Sequence, residues 1–265
     1  MPAPLTMSSV VLQSINSTKE ATNRVQTELT TGKRTLDAGE QGVVTRLSSQ
    51  VNGYAAAQNN IQKSQNVINV AQTGLSAISD ILSQMKDLAN KTNDNTMSDA
   101  DKTKLNQTFQ SLLKQVDDLA SSTQVDGVSV LSSSATDLKV QTGLTSTDQI
   151  TVTAQKSDTT TLGINTLDIS ATGDAAAAVD ALQTAIDSVS SSQSSLAADK
   201  IGLSARNKTV QSISSNLEDT ISSIEKPNAE QLQMDLQKLN NQQSINYYLI
   251  NQMNQQAQSM LTIFR

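Results

Sequence analysis

The sequence predicts a mainly α protein, a long-helix bundle of coiled-coil type formed by its N- and C-terminal regions, with a small β-hairpin region in the middle. Three observations carry this. Pro occurs only at positions 2, 4 and 227 of the 265 residues, so more than 200 consecutive positions lack the residue that breaks helices. Apolar residues recur at alternating steps of four and three over long stretches, which is the seam of a coiled coil. Between 128 and 173 that period gives way to alternation of two, punctuated by Gly143, Gly163 and Gly173, as in short strands.

The elements follow in order. A first terminal seam carries Val11, Ile15, Val25 and Leu29, with Thr18 and Thr22 filling the gaps, and Gly32 and the stretch 39–42 interrupt it. The strongest seam then runs Val43, Leu47, Gln50, Tyr54, Ala57, Ile61, Ser64, Ile68, Ala71, Leu75, Ile78, Leu82, Met85, Ala89. It predicts one helix over about 43–91, roughly 73 Å long at 1.5 Å per residue, ended by Asn93-Asp94-Asn95. Ser98 with Asp101 three residues on reads as an N-cap with an acidic first turn. Leu105, Phe109, Leu112, Val116 and Leu119 then give a shorter helix over about 98–121, and Asp126-Gly127 signals a turn.

In the period-two region, Leu138-Lys139-Val140-Gln141 and Ile150-Thr151-Val152-Thr153 predict two or three short strands in hairpins. Asp174 before four consecutive Ala residues starts a second long helix, about 174–225. Its seam holds Val179, Leu182, Ile186, Val189, Leu196, Leu203, Val210, Leu217, Ile221 and Ile224, diluted by Gln193, Lys200, Asn207 and Ser214. Its length nearly equals that of the first long helix, so the two are expected side by side. After Pro227 a last seam runs Leu232, Leu236, Leu239, Gln243, Asn246, Ile250, Met253, Ala257, Met260, Phe264, with no charged residue from 239 to 264. The layout is palindromic. It predicts a terminal coiled-coil layer of 1–36 with 228–265, and a helical bundle of 37–227 that carries the hairpin region 128–173.

Composition excludes most chemistry. With no His and no Cys, Ser-His and Cys-His nucleophiles, zinc fingers, redox dithiols and disulfides are all ruled out. Aromatic residues make up 2 %, and the net charge is −6. There is neither a stacking surface nor a basic stripe for nucleic acid. No run is apolar enough to span a membrane, and the uncharged ends lack the basic face of a membrane-surface helix. Met1-Pro2-Ala3-Pro4-Leu5 shows no cleavable secretory signal. The stretch 94–105 resembles a calcium loop but lacks Gly at its sixth place and Glu at its twelfth. Asp117 and Asp118 are adjacent on a helix and diverge, and Gly32-Lys33 lacks the spacing of a phosphate loop. No catalytic, cofactor or metal site is expected.

Several segments resemble the bacterial flagellins. Glu28-Leu29-Thr30-Thr31-Gly32-Lys33-Arg34 is similar to that family's Arg-Leu-Ser-Ser-Gly turn, and 81–91 to its Leu-x-x-x-Arg-Glu-Leu-Ala helix segment. Thr123-Gln124-Val125-Asp126-Gly127-Val128-Ser129-Val130-Leu131 resembles its Thr-Gln-Phe-Asn-Gly-Val-x-Val-Leu junction, and Leu138-Lys139-Val140-Gln141-Thr142-Gly143 its hairpin. The ending Met260-Leu261-Thr262-Ile263-Phe264-Arg265 resembles its terminal Val-Leu-x-Leu-Leu-Arg. Departures at 37–42 and 225–230 point to a divergent branch, or to the related hook–filament junction protein, whose turn Thr31-Gly32-Lys33 also resembles. Only about 46 residues stand where the family carries its variable outer domains.

The resemblance implies a secreted subunit that self-assembles into the extracellular helical flagellar filament used for motility, with no enzymatic activity. It implies as partners copies of itself, an export chaperone, the type III export apparatus, and the hook-associated and cap proteins. Assembly would offset the cost of ordering the ends, about 1–2 kcal/mol per residue for the backbone alone, by burying Val11, Ile15, Val25, Leu29, Ile250, Met253, Met260 and Phe264. Gln243 and Asn246 are candidates for fixing register. On the surface that an animal innate receptor reads in the family, the preferred Arg is here Gln84 and the preferred Glu is Gln115, while Leu88 is kept. Weak recognition is expected.

Overall fold

The computed structural model describes residues 4–94 and 96–263. The elements are α1 (Pro4–Thr31), α2 (Ala38–Thr92), α3 (Asp99–Ser122), β1 (Leu138–Gln141), β2 (Gln149–Val152), α4 (Ala175–Glu225) and α5 (Ala229–Ile263). The predicted mainly α class with one small antiparallel hairpin holds. Of the residues expected to end α2, Asn93 and Asp94 lie just past it, and Asn95 lies outside the described residues.

The chain divides into a central unit, Gln50–Ser215, and a terminal unit made of the residues up to 49 and from 216 on. In the central unit the α2 seam behaves as its spacing predicts. Every seam position from Ala57 to Ala89 is buried. Ser64 is among them, its hydroxyl donating to the Asn60 carbonyl at 2.8 Å. The α4 seam supplies Leu182, Val189, Leu196, Leu203 and Val210, all fully buried in the same core. Lys86 Nζ donates to Gln183 Oε1 and Gln193 Nε2 to Ser76 Oγ, so α2 and α4 run antiparallel here. The third side is α3, through Phe109, Leu113, Val116 and Ala120. Its Ser98 cap forms as expected and accepts from the Asp101 amide.

The middle region is tied down by hydrogen bonds. Asp126 (φ 51°) and Gly127 (φ 78°) make a two-residue turn of type I′, the hairpin-favouring kind, which joins Val125 to Val128. β1 and β2 pair with Leu138 opposite Val152 and Gln141 opposite Gln149, and they turn Val140 and Val152 into the core. Polar residues of α3 fasten the following loop. Asp117 accepts from the amide and hydroxyl of Thr159 at 2.8 and 3.0 Å, Gln110 donates to the Leu167 carbonyl, and Asn106 accepts from the Ile169 amide. Asp174 caps α4 by accepting from the Ala177 amide at 2.9 Å.

Two expectations change at the start of α2. Gly39 and Gly42 do not interrupt a helix; they lie inside α2, which begins at Ala38, ahead of the first residue of its seam. Asp37 accepts from the Glu40 amide at 2.7 Å and Glu40 accepts from the Asp37 amide at 3.1 Å. This reciprocal capping box satisfies two otherwise orphaned donors and outweighs two poor helix formers. The buried residue there is Val44, and Val43 is exposed.

Candidate assembly surface

The terminal unit is built around a sharp connection between α1 and α2. Gly32 sits at φ 65°, the left-handed conformation that closes a helix without a Cβ penalty, and its amide reaches the Glu28 carbonyl. The chain then crosses the end of α4. The Arg34 amide donates to the Glu225 carbonyl at 2.7 Å, its guanidinium to the Ile224 carbonyl at 3.4 Å, and Lys33 pairs with the Glu225 carboxylate at 2.7 Å. The Gly-Lys-Arg turn therefore caps the last carbonyls of α4 with cations, where the helix dipole favours positive charge. Beneath it, the buried Glu28 accepts from the Thr35 amide at 3.0 Å. Asn228 starts α5 by accepting from the Gln231 amide.

From this junction α1 and α5 lie against one another. They are antiparallel: the end of α1 and the start of α5 share the junction, and Ser14 lies across from Asn246, with 3.4 Å between Ser14 Oγ and Asn246 Oδ1. The facing stripes are thin. Buried on α1 are Val25 and the polar Thr18, Thr22 and Glu28; on α5 they are Leu232 and Asn246. Of the residues expected to carry assembly, Val11, Ile15, Ile250 and Met253 are half-buried and Leu29 is 40 % exposed. Glu28, covered by the 32–35 turn, takes the inward place beside Leu29. The side chain of Met260 and all of Phe264 lie outside the described residues.

Sequence periodicity missed a second apolar row flanking the seam of α5. Ile245, Tyr248 and Leu249, at i, i+3 and i+4, share one face and are 58, 65 and 38 % exposed. Met234 and Tyr247, also exposed, add to the apolar surface of this helix. The remaining exposed positions between 240 and 259 are Asn, Gln, Ser and Ala257, without charge. Val10 and Leu12 flank the α1 stripe and are exposed as well. The signal for this row was in the sequence, as three large apolar residues off the seam in a stretch without charge from 239 to 264.

Two matches fix the family. Residues 4–136 match the description "Bacterial flagellin N-terminal helical region" and residues 179–264 match "Bacterial flagellin C-terminal helical region". The chain belongs to the bacterial flagellin family. Among solved structures it is similar to a Bacillus cereus flagellin, with 25 % identity and a TM-score of 0.52 over 57 % of this chain and 88 % of that one. No curated protein matches it. Flagellins are structural proteins, and the carboxylates of the 94–105 stretch have structural roles in this one. The Thr96 amide and hydroxyl hold the Asp94 carboxyl below its ordinary pKa, and the Ser98 hydroxyl followed by Lys104 do the same for Asp101. No cluster of three or more potential metal ligands occurs among the described residues, and none of their helices is long and apolar enough to cross a membrane.

The segment that resembles the receptor-binding surface lies in the central unit of this flagellin. Gln84 on α2 and Gln115 on α3 are exposed, and Leu88 is half-buried against the core.

Proposed function

We propose that this chain is the subunit of an extracellular flagellar filament and that it polymerises with copies of itself through its terminal helices. The observation that carries the reading is the two-faced α5. One face meets α1 of the same chain, and a face beside it presents Ile245, Tyr248 and Leu249 in a surround without charge. An apolar face without charge suits a contact buried between copies, because burying an unpaired charge is costly. Val11, Ile15, Ile250 and Met253 keep part of their surface outside the pair and gain further cover from neighbours, as would Leu29. Met260 and Phe264 continue the stripe in the sequence. Head-to-tail repetition of one such contact yields an open helical filament.

The same reading assigns the partners. An apolar-faced α5 without charge from 239 to 264 needs cover before assembly, which an export chaperone supplies. Export by the type III apparatus and capping by hook-associated and cap proteins follow for a filament subunit. With Gln84 and Gln115 in place of charged residues, activation of the innate receptor for flagellin is weak. Activation equal to that by a flagellin with the full receptor surface refutes that last assignment.

The test of assembly is negative-stain electron microscopy of the full-length chain salted out with sulfate, which strengthens apolar burial. Long uniform filaments are expected from the natural chain. Deleting 239–265 should leave a folded helical monomer without filaments, and a truncated chain that still polymerises refutes the role of α5. Short rings alone from the full-length chain refute the filament reading and point to a junction protein.

A further inference from the structure

We propose that Asn246 is the residue that selects the register of α5, by requiring Ser14 of its own chain across the helix pair. The polar residues buried in the terminal unit differ in what satisfies them. Thr18 donates its hydroxyl to the Ser14 carbonyl at 2.7 Å and Thr22 to the Thr18 carbonyl at 2.8 Å. Both bonds stay within α1, so these residues turn methyl groups to α5 and carry no information about its register. Glu28 is satisfied by the Thr35 amide in the adjoining turn.

Of these buried polar residues, Asn246 alone looks across. It is 8 % exposed, its Oδ1 meets Ser14 Oγ at 3.4 Å, and its Nδ2 is enclosed with no hydrogen-bond partner among the described residues. A slip of α5 along α1 by one turn would set this amide against a threonine methyl or a half-buried aliphatic residue and remove its one bond. Burying a polar group without a partner is costly, and one buried Asn in a seam is the best-attested device for fixing register. The rest of the stripe, from Ile250 on, is apolar in sequence and tolerant of slip. The Asn246–Ser14 layer disfavours slip because one register alone sets these two side chains opposite one another.

The chain contains no cysteine, so cysteines placed at the exposed Gln26 and Asn251 label α1 and α5 uniquely. These sites are far apart along the pair, and a one-turn slip changes their separation by about 5.4 Å. Spin-label distances are measured in the full-length chain, diluted with unlabelled chain so that only intrachain pairs are read, both free and after sulfate-driven assembly. One distance population is expected with Asn246 present. Asn246→Leu adds an apolar residue to an apolar stripe and should keep its helix while gaining a second population. The exchange Ser14→Asn with Asn246→Ser keeps the same atoms in the layer and should restore one population. A single population retained in Asn246→Leu, a natural chain with none in either state, or an exchange that fails to restore it would each overturn the assignment. The free-chain arm is read whether or not filaments form, so failure of the filament reading is distinguishable from failure of this one.

Discussion

Two glycines inside the long helices should respond in opposite directions to the same substitution. Gly74 in α2 and Gly202 in α4 are both helix-interior, where Ala is favoured over Gly by about 1 kcal/mol. A Cβ on Gly202 meets nothing within 4 Å, so Gly202→Ala should stabilise by about that amount. For a unit of this size the midpoint should rise by about 2–4 °C. A Cβ on Gly74 stands 2.6 and 2.7 Å from Thr123 Oγ1 and Cγ2, and 3.1 Å from Leu131 Cδ1. Thr123 cannot simply swing away, because its hydroxyl donates to the Leu119 carbonyl at 2.6 Å and so closes α3. Overpacking of this kind costs about 1–3 kcal/mol. Set against the propensity gain of about 1 kcal/mol, the net effect of Gly74→Ala is neutral to about 2 kcal/mol destabilising. The assay is thermal unfolding of the full-length chain followed by far-UV circular dichroism. Adding Thr123→Ala should restore part of the loss, a coupling that a double-mutant cycle isolates. If Gly74→Ala raises the midpoint as much as Gly202→Ala, the close fit of the 123–131 segment onto α2 is wrong.

The remaining predictions concern caps, a buried carboxylate and pH. Asp37→Ala breaks the capping box and should cost about 1 kcal/mol, with hydrogen-exchange protection lost first in the opening turn of α2. Glu28→Ala leaves the Thr35 amide unpaired and should destabilise the terminal unit by about 1–3 kcal/mol, read as lower exchange protection along α1. The hydroxyl of Thr145, then its amide, and the nearby Arg206 hold Asp148 below its ordinary value of 3.8. A lowered native pKa means that the contribution is complete above 3.8 and is lost as pH falls through the lowered value. Protection of the Thr145 amide should fall over that window, and Asp148→Asn should abolish the pH dependence. Asp199 behaves oppositely: burial raises its pKa, against the bond from the Thr153 amide. Stability is therefore lost as pH rises from 3.8 through the raised value, and Asp199→Asn should remove that loss in pH-resolved unfolding.

The long helices were legible because two local signals agreed over dozens of residues: no Pro and a steady seam. The α2 seam from Ala57 to Ala89 is buried at every position, since two or more helices must cover a stripe that long. The β1–β2 hairpin was legible from Val, Ile and Thr in alternation, and the separate turn between Val125 and Val128 from Asp126-Gly127. The start of α2 was not, because a seam reports which face is buried and not where the backbone enters the helix; the Asp37–Glu40 spacing did. The anchoring roles of Asn106, Gln110 and Asp117 were illegible for a different reason. They stand off the α3 seam, and their partners are backbone groups more than 40 residues along the chain.

The assembly surface shows where periodicity stops being informative. A seam states that a face is covered and leaves the covering molecule open, and in this chain α1 and α5 each cover part of the other. Of the apolar residues whose burial is described, their shared face buries Val25 and Leu232, beside Thr18, Thr22, Glu28 and Asn246. The central unit, by contrast, has a continuous core of fully buried Ile, Leu, Val and Phe. The thin seam and the exposed Ile245, Tyr248 and Leu249 lie in the same helix pair. Under the proposed assembly one event, contact with another copy, would cover both, and would couple the ordering of the ends to the place where they are needed.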